Sequence, residues 1–213
     1  MLVLHGYFRS SAAHRVRIAL NLKGLDYKQK FYRLRHGEQR APDYLAINPQ
    51  GLVPTLEHDG LVITQSLAIL EYLDETFLQP SFLPPDRAGR ARVRSLANIC
   101  AVDTHPLSKG KVLQYLEAEL GLDENARQQW CRRWFADCFG PIESRLAAEP
   151  ETGQLCHGNQ PTIADICLVP QVLTAKRFGF DLSPFPTVSR LYEMATSLKA
   201  FREAMPDQQP DAE

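Results

Sequence analysis

"FRSSAAHRVRIAL" spans residues 8–20, and its reading decides what the first third of this chain can be. Val16 with Leu20, and Ile18 with Leu22, recur at the i,i+4 spacing of a helix, and Gly24 follows as a stop. Ser10 and Ser11 stand where this pattern meets "LVLHGYF" (2–8), a strand-length apolar run. Either serine suits the helix as an N-cap. The same junction offers another use. The first amides of a helix point outward unpaired and carry about half a positive charge, which suits an anion or a thiolate.

Working outward, "DYKQKFYRL" (26–34) alternates polar and apolar residues as a second strand, which makes a β-α-β unit with parallel strands. A polar loop, a short helical piece at "APDYLAI" and the turn "NPQG" (48–51) follow. "VPTLEHDGLVIT" (53–64) then reads as two strands around Asp59-Gly60, a type I′ hairpin signal. "SLAILEYLDETF" (66–77) reads as an amphipathic helix with Ser66 as its cap. The order β-α-β-α-β-β-α is that of a thioredoxin-like α/β unit, here residues 1–80.

The prolines of "LQPSFLPPDRAG" (78–89) mark a linker, taken as 81–87. Beyond it the patterns at 88–120, 124–149, 162–178 and 187–202 are helical, so 88–213 is predicted to be an all-α domain. Thr162-Ile163-Ala164-Asp165 reads as a capping box at a helix start.

Bulk properties narrow the function classes. With 44% hydrophobic and 23% charged residues and a net charge of -1, the composition is that of an ordinary globular protein, and no nucleic-acid or membrane partner is expected. Residues 1–40 hold nine Lys or Arg against Asp26 and Glu38, which fits solvated faces or an anionic ligand site equally. "LVLHGYF" follows Met1 with no basic region and no cleavage site, and no stretch approaches the ~18 apolar residues of a membrane span; the expected location is the cytoplasm. The five cysteines are odd in number and lack CxxC spacing, so buried reduced thiols are expected, with no disulfide framework and no metal site.

A thioredoxin places CxxC at its first strand-to-helix junction, because the field there lowers a thiol pKa. Ser10-Ser11-Ala12-Ala13 excludes redox chemistry by the protein's own thiols. A hydroxyl remains, able to donate to a thiolate that a ligand brings. Val53-Pro54 is a candidate cis peptide, a turn that would free the Val53 N–H and C=O for an extended peptide ligand. Gln65-Ser66, at the next helix start, offers a hydroxyl, an amide and free N–H groups to a carboxylate; a plain cap at Ser66 is the alternative.

In this order and spacing, the elements resemble the zeta class of glutathione transferases, the group that includes maleylacetoacetate and maleylpyruvate isomerases. "RSSAAHRVRIALNLKG" is similar to the class signature, and "NPQGLVPTL", "TQSLAILEYL", "DTHPL", "PTIADICLVPQV" and "RFGFDLSPFP" extend the likeness over nearly the whole chain. The resemblance implies the glutathione transferase fold, glutathione as cofactor, a small dicarboxylate as substrate and a homodimer. It implies Ser10 at the glutathione sulfur, with Ser11 beside it and left to serve the helix as a cap. It also implies Val53 and Pro54 against the cysteinyl backbone, Gln65 and Ser66 at the γ-glutamyl carboxylate, and Gln39, Gln50 and His105 as further glutathione contacts. Lys111 and Arg177 stand where the resemblance implies cations for the substrate's carboxylates, and Arg9 is a further candidate cation for them and for the charge that develops in the reaction.

The implied reaction is cis–trans isomerisation of maleylacetoacetate to fumarylacetoacetate in aromatic amino-acid breakdown. A thiolate adds reversibly to the conjugated carbon and so frees the double bond to rotate. Maleylpyruvate isomerisation, conjugation or dehalogenation by the same thiolate, and non-catalytic glutathione binding are the alternatives. Two departures stand out. Ala12 replaces the signature cysteine, and Ser108-Lys109-Gly110-Lys111 replaces a segment whose arginine meets a substrate carboxylate, leaving at Lys111 a point charge without a bidentate fork.

Overall fold

The computed structural model describes residues 1–213. Close packing divides the chain into two units, Met1–Ser81 together with Ser197–Glu213, and Phe82–Thr196.

The first unit is built on a four-stranded sheet of order β2-β1-β3-β4. β1 (Leu2–Gly6) is buried along its whole length and lies parallel to β2 (Tyr27–Phe31), the two joined through α1 (Ser11–Leu22). β3 (Thr55–His58) runs antiparallel to β1 on its other side, so Leu4 stands between Gln29 and Leu56. β4 (Leu61–Thr64) closes the hairpin; Asp59 and Gly60 both have positive φ, 47° and 88°, as a type I′ turn requires. The outer strand β2 alternates half-buried Tyr27 and Gln29 with exposed Lys28 and Lys30, the period-2 pattern that marks it as a strand.

A short α2 (Pro42–Leu45) precedes β3, and α3 (Ser66–Thr76) follows β4. α1 packs against α3, and Val16, Ala19 and Leu20 on the first and Ile69, Leu70 and Leu73 on the second are all fully buried. Truncating one such leucine to alanine costs about 2–5 kcal/mol. Solvated faces were one of two equal readings of the basic residues in this part of the chain. Arg15 and Arg17 are instead each 1% exposed. The end of the chain completes this unit: α9 (Lys199–Glu203) packs on α1, with the Asn21 amide donating to the Ala200 C=O at 3.0 Å.

The second unit is helical, as expected: α4 (Arg87–Asn98), α5 (Gly110–Ala118), α6 (Glu124–Ala148), α7 (Ile163–Arg177) and α8 (Pro186–Ser197). The pattern at 88–120 is not one helix. It passes through a π turn at Ile99–Thr104 and a 3-10 turn at His105–Ser108 before α5 begins, because Pro106 has no N–H with which to continue the α ladder. The pattern at 187–202 likewise breaks at Leu198, which is extended.

α7 is buried on nearly every side and packs on α4. Its capping box is present: the Asp165 carboxylate accepts from the Thr162 N–H and hydroxyl and from the Cys156 N–H, each at 2.8 Å. All five cysteines are free and buried. Burial pushes the Cys131 thiol up to about 11 and, together with the Asp165 charge, holds Cys156 well above the thiol range.

Candidate functional site at the start of α1

Ser10 is extended, with φ −70° and ψ 114°, and is the N-cap of α1. Its Oγ accepts the Ala13 N–H at 3.2 Å and its C=O accepts the His14 N–H at 2.8 Å. Ser11 is the first helical residue, so capping belongs to Ser10 and not to Ser11, the opposite of one reading of the pair. The distinction matters chemically. A serine hydroxyl accepts on two lone pairs and donates one hydrogen. Capping occupies a lone pair and leaves the hydrogen to be donated outward, where the helix terminus already favours negative charge.

The Val53-Pro54 bond is cis, as expected. The loop before it is anchored through the Leu52 C=O, which accepts the Tyr44 hydroxyl at 2.6 Å and the Asn48 amide at 2.8 Å. Both side chains also reach Thr55 Oγ1, at 2.9 and 3.1 Å. With these neighbours pinned, the Val53 N–H and C=O make no hydrogen bond within the chain. That edge is open to an extended peptide backbone. Gly51, at φ +58°, brings the loop against the next segment: a Cβ there would lie 3.1 Å from the Gln39 carbonyl oxygen. Gln39 Oε1 is buried and unpartnered.

At the third position the sequence reading needs correction. Ser66 is not the cap of α3 but its first residue. The cap is Gln65, held at φ 71° with no side-chain capping bond. This left-handed backbone turns the Gln65 side chain to the Gln50 amide, with Nε2 donating to Oε1 at 2.8 Å, so two residues fifteen apart in sequence come together. Ser66 is buried, and its Oγ accepts Nη1 of Arg15 at 3.1 Å, leaving its own hydrogen to donate.

Arg15 is the residue that sequence reasoning missed. Its Nε and Nη2 are buried without any partner, so a full cation stands behind Ser66 with two donors unused. A carboxylate brought to this place would supply what the chain withholds, since desolvated charge is costly unless paired. A signal existed: Arg15 lies three residues before Ile18 and seven before Leu22, on the apolar stripe of α1 rather than opposite it.

Ser10, Val53, Pro54, Gln39, Gln50, Gln65 and Ser66 all belong to the first unit, as does half-buried Arg9. The remaining expected residues lie in the second. His105 is half-buried in the 3-10 turn, where its C=O accepts the Ser108 hydroxyl at 3.3 Å. Lys111 is exposed in the first turn of α5, and Arg177 is exposed at the end of α7.

Comparison with known proteins adds to this geometry. Residues 2–75 match the glutathione S-transferase N-terminal domain. Over 213 residues the chain is 43% identical to a probable maleylacetoacetate isomerase of Vibrio cholerae, covering 99% of this chain and 98% of that one. A holo structure of a bacterial zeta-class maleyl pyruvate isomerase superposes with a TM-score of 0.98 at 42% identity, covering 99% and 100% of the two chains. A maleylacetoacetate isomerase from Methylobacterium extorquens AM1, solved with malonate and glutathione bound, gives 0.96 at 44%, covering 99% of each. No helix is long and apolar enough to cross a membrane.

Proposed function

The chain belongs to the glutathione transferase family, zeta class, and we propose that it is a glutathione-dependent cis–trans isomerase of maleylacetoacetate. The observation that carries this reading is Ser10, whose hydroxyl caps α1 with a lone pair and keeps its hydrogen for an incoming sulfur. Bound glutathione supplies the thiolate that adds reversibly across the conjugated cis double bond. The protein's own residues hold that thiol ionised. A free thiol near pKa ~8.5 is a few per cent thiolate at pH 7; lowering it by two units is worth about 2.7 kcal/mol, which the Ser10 hydroxyl and the α1 terminus share.

The first unit fits the rest of the tripeptide. The free Val53 N–H and C=O, beside cis Pro54, pair with the cysteinyl backbone. Gln65 and Ser66, with the Arg15 cation behind them, receive the γ-glutamyl carboxylate. Gln39 offers a buried acceptor, Oε1, that is still unmet, and Gln50 and His105 complete the cofactor's contacts. Arg9, Lys111 and Arg177 take the substrate's carboxylates and the negative charge that develops on it. The protein acts in the cytoplasm as a homodimer.

Maleylpyruvate is the second reading, favoured by the 0.98 superposition on a maleyl pyruvate isomerase. The test is a side-by-side kinetic comparison of the two substrates, with and without glutathione. Glutathione-dependent turnover of maleylacetoacetate at the higher kcat/KM is expected; preference for maleylpyruvate selects the second reading, and turnover of neither rejects both.

A further inference from the structure

The four residues between β1 and α1 carry Arg9 and Ser10, and two charged side chains hold that turn from outside. One is Arg17, on α1: its Nη2 donates to the Phe8 C=O at 3.0 Å, its Nη1 to the Tyr7 C=O at 3.4 Å, and its Nε to the Ala204 C=O at 3.0 Å. The other comes from the far end of the chain, where Asp211 Oδ2 accepts the Phe8 N–H at 2.9 Å. Both polar groups of Phe8 are thereby occupied by ionised partners. The Tyr7 oxygen that Arg17 holds also accepts the Ser10 N–H at 3.0 Å. A continuous set of bonds thus runs from Asp211 through Phe8, Arg17 and Tyr7 to Ser10.

The tail that delivers Asp211 is itself fixed. Gln209 is buried, and its amide donates to the Glu203 and Met205 carbonyls at 2.9 and 2.8 Å. Arg17 is fully buried. Burial lowers it to about 10, while Tyr27 and Asp211 act in the other direction, so it stays charged at neutral pH. The bonds of Arg17 all go to backbone carbonyls; Asp211 acts on it across the Phe8 peptide, and the second Asp211 oxygen is buried without a partner.

We propose that Asp211 and Arg17 are positioning residues for Ser10, the C-terminal tail serving as the outer jaw of a clamp that sets where the serine hydroxyl points. This rests on the functional reading above. A hydrogen bond weakens steeply as its geometry degrades, so a turn released by fractions of an ångström stabilises a thiolate less well. The tail acts through the Phe8 peptide.

The full-length variants Asp211→Ala, Asp211→Asn and Asp211→Ser, compared with wild type, test it through three readouts. These are thiolate absorbance of bound glutathione against pH, kcat against glutathione KM, and the thermal midpoint. In the alanine variant the bound thiol pKa is expected to rise by about half to one unit and kcat to fall about 5- to 20-fold, with glutathione KM within about twofold. Asp211→Asn keeps an acceptor oxygen for Phe8 and restores most of both. Should the alanine variant not fold, Asp211→Ser, too short to reach Phe8, gives the same reading. A folded alanine or serine variant with the wild-type thiol pKa and kcat overturns the clamp, as does a loss of activity that follows the thermal midpoint with no movement of the thiol pKa. Wild-type protein that binds no glutathione overturns the functional reading, and the clamp with it.

Discussion

α1 and α7 both begin with a hydroxyl residue, and they use it in opposite ways. At α7, Thr162 and Asp165 are 5% and 1% exposed, and the carboxylate gathers three donors from its own neighbourhood. Nothing is left over for a ligand. At α1, Ser10 is half-buried, the first turn contains no acidic residue, and the cap takes one donor. α3 is left open further still: no side chain caps it, and a buried cation faces its first residue. A helix start closed by its own carboxylate adds stability, whereas one left open keeps its field for something that arrives.

The contrast can be broken at either end, and the largest effect is expected at the closed one. Asp165→Ala removes three bonds to a buried charge and should lower unfolding free energy by about 4 kcal/mol in urea denaturation. Glutathione affinity of the remaining native protein should not change; a loss below about 1 kcal/mol would erase the distinction. At the open end, Ser10→Ala should cut turnover by about 10- to 1000-fold and raise the bound thiol pKa, at about 1 kcal/mol of stability for the lost cap. Ser11→Ala should do neither. If it is the Ser11 variant that loses the low thiol pKa, the assignment of the hydroxyl is reversed.

Arg15→Met sharpens the case of α3. Calorimetry should show glutathione bound about tenfold more weakly, the scale of one charge-assisted bond, while the ligand-free protein keeps or gains stability as an unpaired buried cation disappears. Equal loss in both would make Arg15 structural. The smallest effects belong to the thiols. No cysteine should react with a disulfide reagent at pH 8 until the protein unfolds, and single Cys→Ser variants should keep turnover. The folded Cys131 thiol lies at about 11 against an ordinary 9.0, so its contribution is complete below pH 9 and declines as pH rises from 9 towards 11. A Cys131→Ser protein should show a correspondingly flatter decline in stability over that range.

Legibility in the sequence followed the range of the forces involved. The Asp59–Gly60 hairpin and the Thr162–Asp165 box were readable because each depends on residues within a few positions, whereas the cis bond before Pro54 was read from the α/β unit around it and the cis bond before Pro80 was not read at all. The left-handed backbone at Gln65 was not readable, since a glutamine carries no local preference for positive φ, and Ser66 was consequently assigned the cap it does not make. The burial of Arg15 and Arg17 was not read, because the carbonyls and hydroxyl that hold them come from other segments. The interruption of the helix after Asn98 was signalled by Pro106, but its effect reaches several residues upstream. The return of the tail to Phe8 leaves no local pattern, because its partners are 203 positions apart.

An alkylating or oxidising agent that meets this protein finds Ala12 in the first turn of α1 and every thiol out of reach. In the proposed reaction the reactive sulfur belongs instead to the glutathione that the protein would hold. Once spoiled, it leaves by dissociation and a fresh molecule takes its place, so damage that would permanently disable a cysteine enzyme is cleared here by exchange with the surrounding pool.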